Sequence, residues 1–270
     1  MLEGLFKNTS MKYIKKILFF TFITYSLNSL AQKPSSIFAE GKEYVYQVAF
    51  IKANSDTLTN EKLIMLGKNQ QWKFQKTQSE IEFHYFPDTV SLKNYTDPRA
   101  AYEKRKTKNL KKKAKGKRGW NNYTWINYKE VTGKFITDSF IWIHPPRSNQ
   151  YAYHQMNAFP EIQYNELKVG GNWNSNLFTG RGFPNNKEFV GTRKDTFEVK
   201  EKINVDFKDT TLEDCWRIEI TSIHSSKGET TAEYIFSKTH GFLKMDYLFY
   251  DGVKINYILK DITINENIID

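Results

Sequence analysis

The sequence predicts a mostly β protein built on a curved antiparallel sheet or half-barrel. Aromatic residues make up 16% of the chain, while all hydrophobic residues together make up only 39%. A core built largely from tyrosine and phenylalanine favours strands over helices. Several segments also alternate apolar and polar residues with the period of a half-buried strand. Short connections containing Gly, Asn, Asp or Ser separate many of these segments, which is typical of hairpins.

The first half of the chain predicts an antiparallel meander. Alternation or apolar character predicts strands over residues 43–50, 61–66, 72–75, 81–86, 123–128 and 135–143. The last of these should stop before Pro145 and Pro146, because proline cannot donate to a ladder. Residues 144–186 combine Pro, Gly and Asn with large aromatic side chains. Such a long irregular segment inside a compact domain is often functional, and its aromatic density argues for order.

The last third of the chain gives the clearest pattern. Strands are predicted over residues 215–221, 231–236, 242–250 and 253–262. For the final hairpin we prefer a three-residue loop, with Gly252 in the left-handed conformation, over a two-residue loop. This register pairs Phe249 with Val253, Tyr247 with Ile255, Met245 with Tyr257 and Leu243 with Leu259, and it keeps one face consistently apolar.

The start of the chain predicts export. Lys12, Lys15 and Lys16 precede the apolar run 17–23, and Ser29-Leu30-Ala31 forms a small-residue exit. This layout predicts a signal peptide over residues 1–31 and a periplasmic or secreted product. The apolar run is shorter than the roughly 20 residues of a membrane-spanning helix, so no transmembrane anchor is expected. Residues 32–270 are expected to form a single domain, and because Gln32 is not a cysteine no lipoprotein anchor is indicated.

Cysteine and histidine usage limits the chemistry. Cys215 is the single cysteine, so no intramolecular disulfide can form, and its place in a strand beside Trp216 predicts a small buried apolar residue. The five histidines show no metal-ligand spacing, so we expect no metal and no cofactor. No Gly-x-Ser-x-Gly nucleophile motif occurs either.

The formal charge of +10 is concentrated in one segment. Residues 99–118 contain eleven basic residues and one acid, Glu103. We expect a basic insertion, either an exposed helix that starts after Asp97-Pro98 or a solvated loop. Its candidate contacts with anionic lipid head groups or an anionic envelope polymer are Lys104, Arg105, Lys106, Lys111, Lys112, Lys113 and Lys115. Nucleic acid is not expected as a partner, because an exported protein meets little of it.

Several segments resemble a known group of proteins. They are 159–162 (FPEI), 167–173 (LKVGGNW), 215–218 (CWRI), 232–238 (AEYIFSK) and 241–245 (GFLKM). The pattern resembles uncharacterised exported proteins of Gram-negative, Bacteroidota-like bacteria, which are similar to periplasmic half-barrels of the lipoprotein-carrier fold group. The resemblance covers roughly residues 159–262. It implies a curved antiparallel sheet with a hydrophobic concave face and a covering helix, it carries over no functional residue, and the basic run departs from it.

Three functions follow as hypotheses. The first is a binding protein, with no evident catalysis, that holds a lipid, an acyl chain or another apolar envelope ligand against the concave face. Its candidate binding residues are Trp120, Trp125, Arg147 and Trp173. The second is a glycan-acting envelope enzyme that uses Glu161 or Glu166, which requires two carboxyl groups facing each other across a cleft. The third is a structural or interaction protein that uses a sheet edge or the basic run.

Overall fold

The structure is a computed structural model that describes residues 37–55, 57–86, 111, 115, 129–147, 149–179 and 190–264. These residues, apart from the gaps, belong to one compact unit, Ile37–Asp270. The predicted signal peptide and most of the predicted basic insertion lie outside the described residues. In the described ranges, no helix combines the length and the apolar character needed to cross a membrane.

In the ranges that the structure describes, twelve strands form one antiparallel sheet, which confirms the predicted fold class. The strands are β1 (Lys42–Ile51), β2 (Thr57–Gln71), β3 (Ser79–Phe86), β4 (Lys129–Ile136), β5 (Phe140–Ile143), β6 (Glu161–Gln163), β7 (Asn172–Thr179), β8 (Gly191–Phe207), β9 (Thr210–His224), β10 (Gly228–Ser237), β11 (Gly241–Leu248) and β12 (Lys254–Ile264). Two short 3₁₀ helices, Asn149–Met156 and Tyr164–Glu166, flank β6.

The order of the strands makes the sheet curl. β1 pairs with both β2 and β12, so the sheet runs from β6 through β1 and β12 to β7. Its two edge strands, β6 and β7, are nevertheless joined in sequence by residues 164–171 alone. A flat sheet of twelve strands would separate its edges by about 50 Å, whereas this connection reaches at most about 30 Å. The sheet therefore curves until its two ends come close together.

The concave face carries the core. On β1, for example, the side chains of Tyr44, Tyr46, Val48 and Phe50 are buried and alternate with partly exposed residues. Three of these four side chains are aromatic, in agreement with the prediction that aromatic rings supply much of the buried area. Cys215 is free and fully buried, in agreement with its predicted role as a small core residue.

An inner segment, residues 151–160, fills the space that the curved sheet encloses. Tyr151, His154 and Met156 are almost completely buried, and the His154 Nε2 atom lies 2.6 Å from the hydroxyl of Tyr257. Burial, helped by the nearby Arg193 charge, lowers the pKa of His154 to about 3. The histidine is therefore neutral at physiological pH, which suits an interior that could not solvate its charge.

Side chains of the sheet satisfy the backbone of the inner segment. The Thr230 hydroxyl donates to the carbonyl of Met156 at 2.9 Å, and the Tyr234 hydroxyl donates to that of Ala158 at 3.0 Å. A hydrogen bond also runs from the inner segment to the sheet, since the Asn157 side-chain amide donates to the carbonyl of Thr231 at 2.8 Å. Buried backbone groups need such partners. These hydrogen bonds therefore allow an irregular segment to lie inside the curved sheet.

Little free space remains on the concave face. The cavity there measures about 10 Å³, which is room for about one water molecule. Core side chains surround it: Met65, Phe83, Ile143, Pro145, Pro146, His154, Pro160, Phe242, Met245, Tyr247 and Tyr257. This cavity has no room for an acyl chain.

Two strand predictions were wrong. Residues 72–75 belong to the turn between β2 and β3, where the Trp72 amide donates to the carbonyl of Gln78 at 2.8 Å. The indole of Trp72 covers Gly133, at which a Cβ atom would come within 2.4 Å of the ring. Trp72 is therefore apolar because it packs within a turn, and not because it lies in a strand. Residues 135–143 form a hairpin with a bend at 137–139, because Asp138 and Ser139 favour a turn.

The final hairpin has the predicted register. Met245 pairs with Tyr257 and Tyr247 pairs with Ile255. The Phe249 amide donates to the carbonyl of Val253 at 2.9 Å, and Gly252 adopts a φ of 82°. A left-handed glycine at this point is what a three-residue hairpin loop requires.

Replacing Asn157 by alanine should lower the free energy of unfolding by about 2 kcal/mol, because buried partners would lose their hydrogen bonds. Asn157 is fully buried, and its side chain bonds Thr231, Ala158 and Ser222. Urea denaturation measures the change. Asn174→Ala is the matched control, since Asn174 is exposed and bonds only Thr196 in the described contacts. Equal losses for the two variants would contradict the anchoring role of Asn157.

Candidate functional site: a cleft where the sheet overlaps itself

The two ends of the sheet do not meet edge to edge. On β5, Ile141 and Ile143 point into the core and are buried, so the alternating Phe140 and Trp142 lie on the outer face. On β7 it is the inner face that borders the cleft. Trp173 belongs to the core, and Ser175 lies on the same face of the strand. The inner face of β7 and β8 therefore lies over the outer face of β5 and β6.

A cleft of about 410 Å³ opens between these two overlapping layers. We call it the overlap cleft. Its lining residues are Thr77, Gln78, Phe135, Phe140, Trp142, Phe159, Glu161, Gln163, Ser175, Asn176, Leu177 and Arg193. One wall comes from the β2–β3 turn, from strands β4 to β6 and from Phe159 just before β6. The other wall comes from β7 and β8, so residues far apart in sequence meet in the cleft. The volume lies in the range of sites that bind small ligands.

Strand register places an aromatic row beside a carboxylate. Phe135 of β4 pairs with Trp142 of β5, and Trp142 pairs with Glu161 of β6. In the next row Phe140 pairs with Gln163. Directly opposed side chains in antiparallel strands have Cβ atoms about 5 Å apart. The wall contributed by β4 to β6 is consequently a small apolar platform with Glu161 and Gln163 along one side.

A buried ion pair forms part of the other wall. The Arg193 Nε atom donates to both carboxylate oxygens of Asp195, at 2.8 and 3.0 Å, and both side chains are almost fully buried. Arg193 also donates to the carbonyls of His154 and Gln155 at 3.3 and 3.1 Å, and its guanidinium lies 4.7 Å from the centre of the Phe159 ring. These contacts hold the inner segment against β8 and occupy the arginine.

The carboxyl group of Glu161 has a strongly shifted pKa. Desolvation raises the pKa of Glu161 to about 7, and the negative charge of Asp195 adds to this effect. Hydrogen bonds from Gln163 and Ser175 and the more distant Arg193 charge favour the ionised form, but they do not offset the desolvation. A carboxyl group that titrates near neutrality in a cleft is typical of a functional site.

Among the described residues that line the cleft, Glu161 is the one carboxyl group, so these residues do not supply the pair that glycoside hydrolysis requires. Asp195 is bonded to Arg193 and to the Ser175 hydroxyl, the latter at 3.2 Å, so it is held as a structural counter-ion. Glu166 does not line the overlap cleft, and its carboxylate lies 3.9 Å from the Lys168 ammonium. Within the described lining, Glu161 is the carboxyl group that remains available for a ligand.

The sequence-predicted binding residues lie in different places. Trp173 is buried and stacks on Phe197 with ring centres 4.8 Å apart. Arg147 bonds Glu130 through its backbone amide at 3.0 Å and through Nε at 3.3 Å. Neither Trp173 nor Arg147 lines the cleft. Trp120 and Trp125 lie outside the described residues.

Of the predicted polyanion contacts, two can be placed. Lys111 and Lys115 are exposed to solvent. The others, Lys104, Arg105, Lys106, Lys112 and Lys113, lie outside the described residues. Their role stays a prediction.

Two signals in the sequence point to the residues that our sequence reasoning missed. Residues 140–143 read Phe-Ile-Trp-Ile, so both faces of the strand are apolar, which indicates that a second layer covers the outer face. Arg193 and Asp195 are separated by one residue in the strand that continues to Phe197 and Val199. Because alternate residues share a face, this spacing indicates an ion pair on the core side.

No protein-family model and no curated protein matches the chain. Among solved structures, it is similar to a protein from Bacteroides fragilis described as exported with a YmcC-like fold (7% identity, TM-score 0.35, covering 83% of this chain and 96% of that one). It is also similar to a protein from Parabacteroides distasonis described as a lipoprotein (8%, 0.35, 86% and 100%) and to the lipoprotein YmcC from Escherichia coli (8%, 0.33, 84% and 89%).

The sequence resemblance named uncharacterised exported proteins, and these neighbours are described as exported proteins or lipoproteins, which agrees with it. At such low identity and TM-score, the likeness carries no conclusion about what this chain binds or does.

Replacing Glu161 by glutamine should change how stability depends on pH. Because the pKa of Glu161 is about 7 in the folded protein and ordinarily 4.5, the folded state holds the proton more tightly. Ionisation of Glu161 therefore costs stability as the pH rises between these two values. Glu161→Gln should match the parent at about pH 4, below both pKa values, and exceed it by up to about 3 kcal/mol at about pH 8.

Urea denaturation at both pH values measures this difference, and Glu166→Gln is the matched control. Glu166 is partly exposed beside Lys168, so its substitution should leave a profile parallel to that of the parent. A gap between the parent and Glu161→Gln that does not grow with pH would show that Glu161 is not held in its neutral form.

Proposed function

We propose that the protein is an exported binding protein that holds a segment of an envelope glycan in the overlap cleft. The observation that carries this proposal is the aromatic platform beside Glu161 and Gln163, in a cleft of about 410 Å³. Export rests on the predicted signal peptide.

The platform suits a sugar ring. A sugar has apolar faces formed by its C–H groups and a rim of hydroxyls. Phe135, Phe140 and Trp142 offer flat apolar surfaces, and aromatic side chains supply large contact areas for little conformational entropy. Gln163 and the exposed Asn176 add amide groups that both donate and accept hydrogen bonds. A few polar groups around an apolar surface are the usual composition of a ligand site.

The first hypothesis from the sequence, a lipid or acyl ligand on the concave face, receives less support. The inner segment and the core aromatics leave about 10 Å³ there. The overlap cleft is open to solvent and mixes polar with apolar side chains, which fits a glycan better than a bare acyl chain. Recognition of anionic lipid head groups or an envelope polymer by the basic run concerns residues outside the described ranges and remains a separate proposal.

The carboxylates of the described residues support binding without hydrolysis. Glycosidases generally use two carboxyl groups, one of them as nucleophile or base. Asp195 is committed to Arg193, and Glu166 lies away from the cleft lining. The proposed role of Glu161 is accordingly to contact the ligand.

Phe135→Ala should weaken oligosaccharide binding by about tenfold, because the loss of a stacking ring costs roughly 1–1.5 kcal/mol. The measurement is calorimetric titration of the full mature chain with neutral and charged oligosaccharides of about four units. Phe178→Ala is the matched control, since Phe178 is 70% exposed on the outer face of β7 and does not line the cleft.

Two results would contradict the proposal. One is equal weakening by both substitutions, which would mean that the platform is not the binding surface. The other is a stoichiometric lipid in native mass spectra of the protein purified from its own host, together with no binding of any oligosaccharide.

A further inference from the structure

Among the residues that the structure describes, the Glu161 carboxylate in the overlap cleft has no cationic partner. Among the described residues, no basic side chain lies within ion-pair distance of Glu161. Arg193 shares the cleft, but Asp195 and the two carbonyls of the inner segment already accept its hydrogen bonds. Glu161 is only 5% exposed. Hydrogen bonds from Gln163 and Ser175 favour its ionised form but do not offset the desolvation, and an opposite charge would compensate for the remaining loss of hydration.

Aromatic residues line the same wall of the cleft as this carboxylate. Trp142 is its direct neighbour across the β5–β6 pair, and Phe135 follows Trp142 in the same row. Phe140 lies beside them, with its ring centre 6.0 Å from that of Phe135. The faces of aromatic rings carry partial negative charge and attract ammonium groups, most strongly in the case of tryptophan.

We propose that the overlap cleft selects a glycan that carries a free ammonium group, such as an amino sugar without its acetyl group. In this arrangement the ammonium group donates to the Glu161 carboxylate, and the sugar ring that carries it stacks on Trp142 or Phe135. The inference rests on the proposed function and adds the class of ligand. A charge-assisted hydrogen bond and a cation–π contact then act on the same group.

Other charged ligands fit less well. An anionic sugar would place its charge against Glu161, while Arg193, the basic residue of the described lining, is neutralised by Asp195. A divalent metal ion needs several oxygen ligands, and no group of three or more candidate metal-ligating side chains occurs in the described ranges. A single ammonium group matches a single available carboxylate.

The test compares two ligands that differ by the acetyl groups alone. The full mature protein is titrated calorimetrically with the tetramer of glucosamine and with the tetramer of N-acetylglucosamine, near neutral pH. We expect the glucosamine tetramer to bind at least about tenfold more tightly, which is the usual effect of one charge-assisted hydrogen bond. Glu161→Gln should remove this preference, whereas Glu166→Gln should keep it.

A second measurement uses pH. The charged groups that face Glu161 are Arg193 and Asp195 of β8. As the pH falls from about 7 to about 5, Glu161 becomes protonated, whereas the amine of glucosamine, which itself titrates near neutrality, becomes fully charged. Affinity for the glucosamine tetramer should therefore fall in the parent protein and should not fall in Glu161→Gln.

The outcomes separate the two proposals. Equal affinity for both tetramers, lost in Phe135→Ala, would overturn the ammonium preference and leave the glycan site standing. A preference for the glucosamine tetramer that Glu161→Gln retains would also overturn the role assigned to this carboxylate. Binding of neither tetramer overturns the ammonium preference, and if no other oligosaccharide binds, the glycan proposal fails as well.

Discussion

The connection between β6 and β7 is the constraint on which the remaining structure depends. Residues 164–171 join strands at opposite ends of a twelve-stranded sheet, and so short a chain cannot cross the width of a flat sheet. The sheet must curve, and its concave face becomes the core. The pairing of β1 with β12 completes the continuous surface opposite the opening. Every other strand pairs with its neighbour in sequence, so the topology adds no further constraint of this kind.

Curvature on this scale creates an interior that must be filled. Aromatic rings of the sheet occupy part of it, and the inner segment, residues 151–160, occupies the rest. An irregular segment inside a sheet brings unpaired backbone groups with it, and these groups are costly when buried. Thr230, Tyr234 and Arg193 supply the hydrogen bonds that compensate for this cost. The buried polar residues Arg193, Ser222 and Thr230 are thus explained by the segment they support. The same packing leaves little space for an apolar ligand beside it.

The overlap of the two sheet ends moves the candidate site to the outside of the fold. Outer-face aromatics such as Phe140 and Trp142 would be unfavourably exposed on a free edge, but the inner face of β7 and β8 partly covers them. Coverage is incomplete, so a cleft remains in which an apolar platform meets Glu161. The ion pair between Arg193 and Asp195 is part of that wall and also holds the inner segment. The packing of the interior and the shape of the cleft therefore depend on shared residues.

The sequence by itself determined what depends on neighbours along the chain. Alternation predicted most of the strands that we could check, and Gly252 with its flanking apolar residues determined the register of the final hairpin. Glu161 was a candidate acid from the sequence because it lies in the aromatic loop region. Its neighbours Trp142, Ser175 and Asp195 were not predicted, since they come from three other strands. Only the tertiary structure decided which face of β5 is covered, that the concave face is full, and that Glu161 is desolvated. These properties depend on contacts between the two ends of a closed-up sheet, and no local pattern encodes how far the sheet curves before its ends overlap.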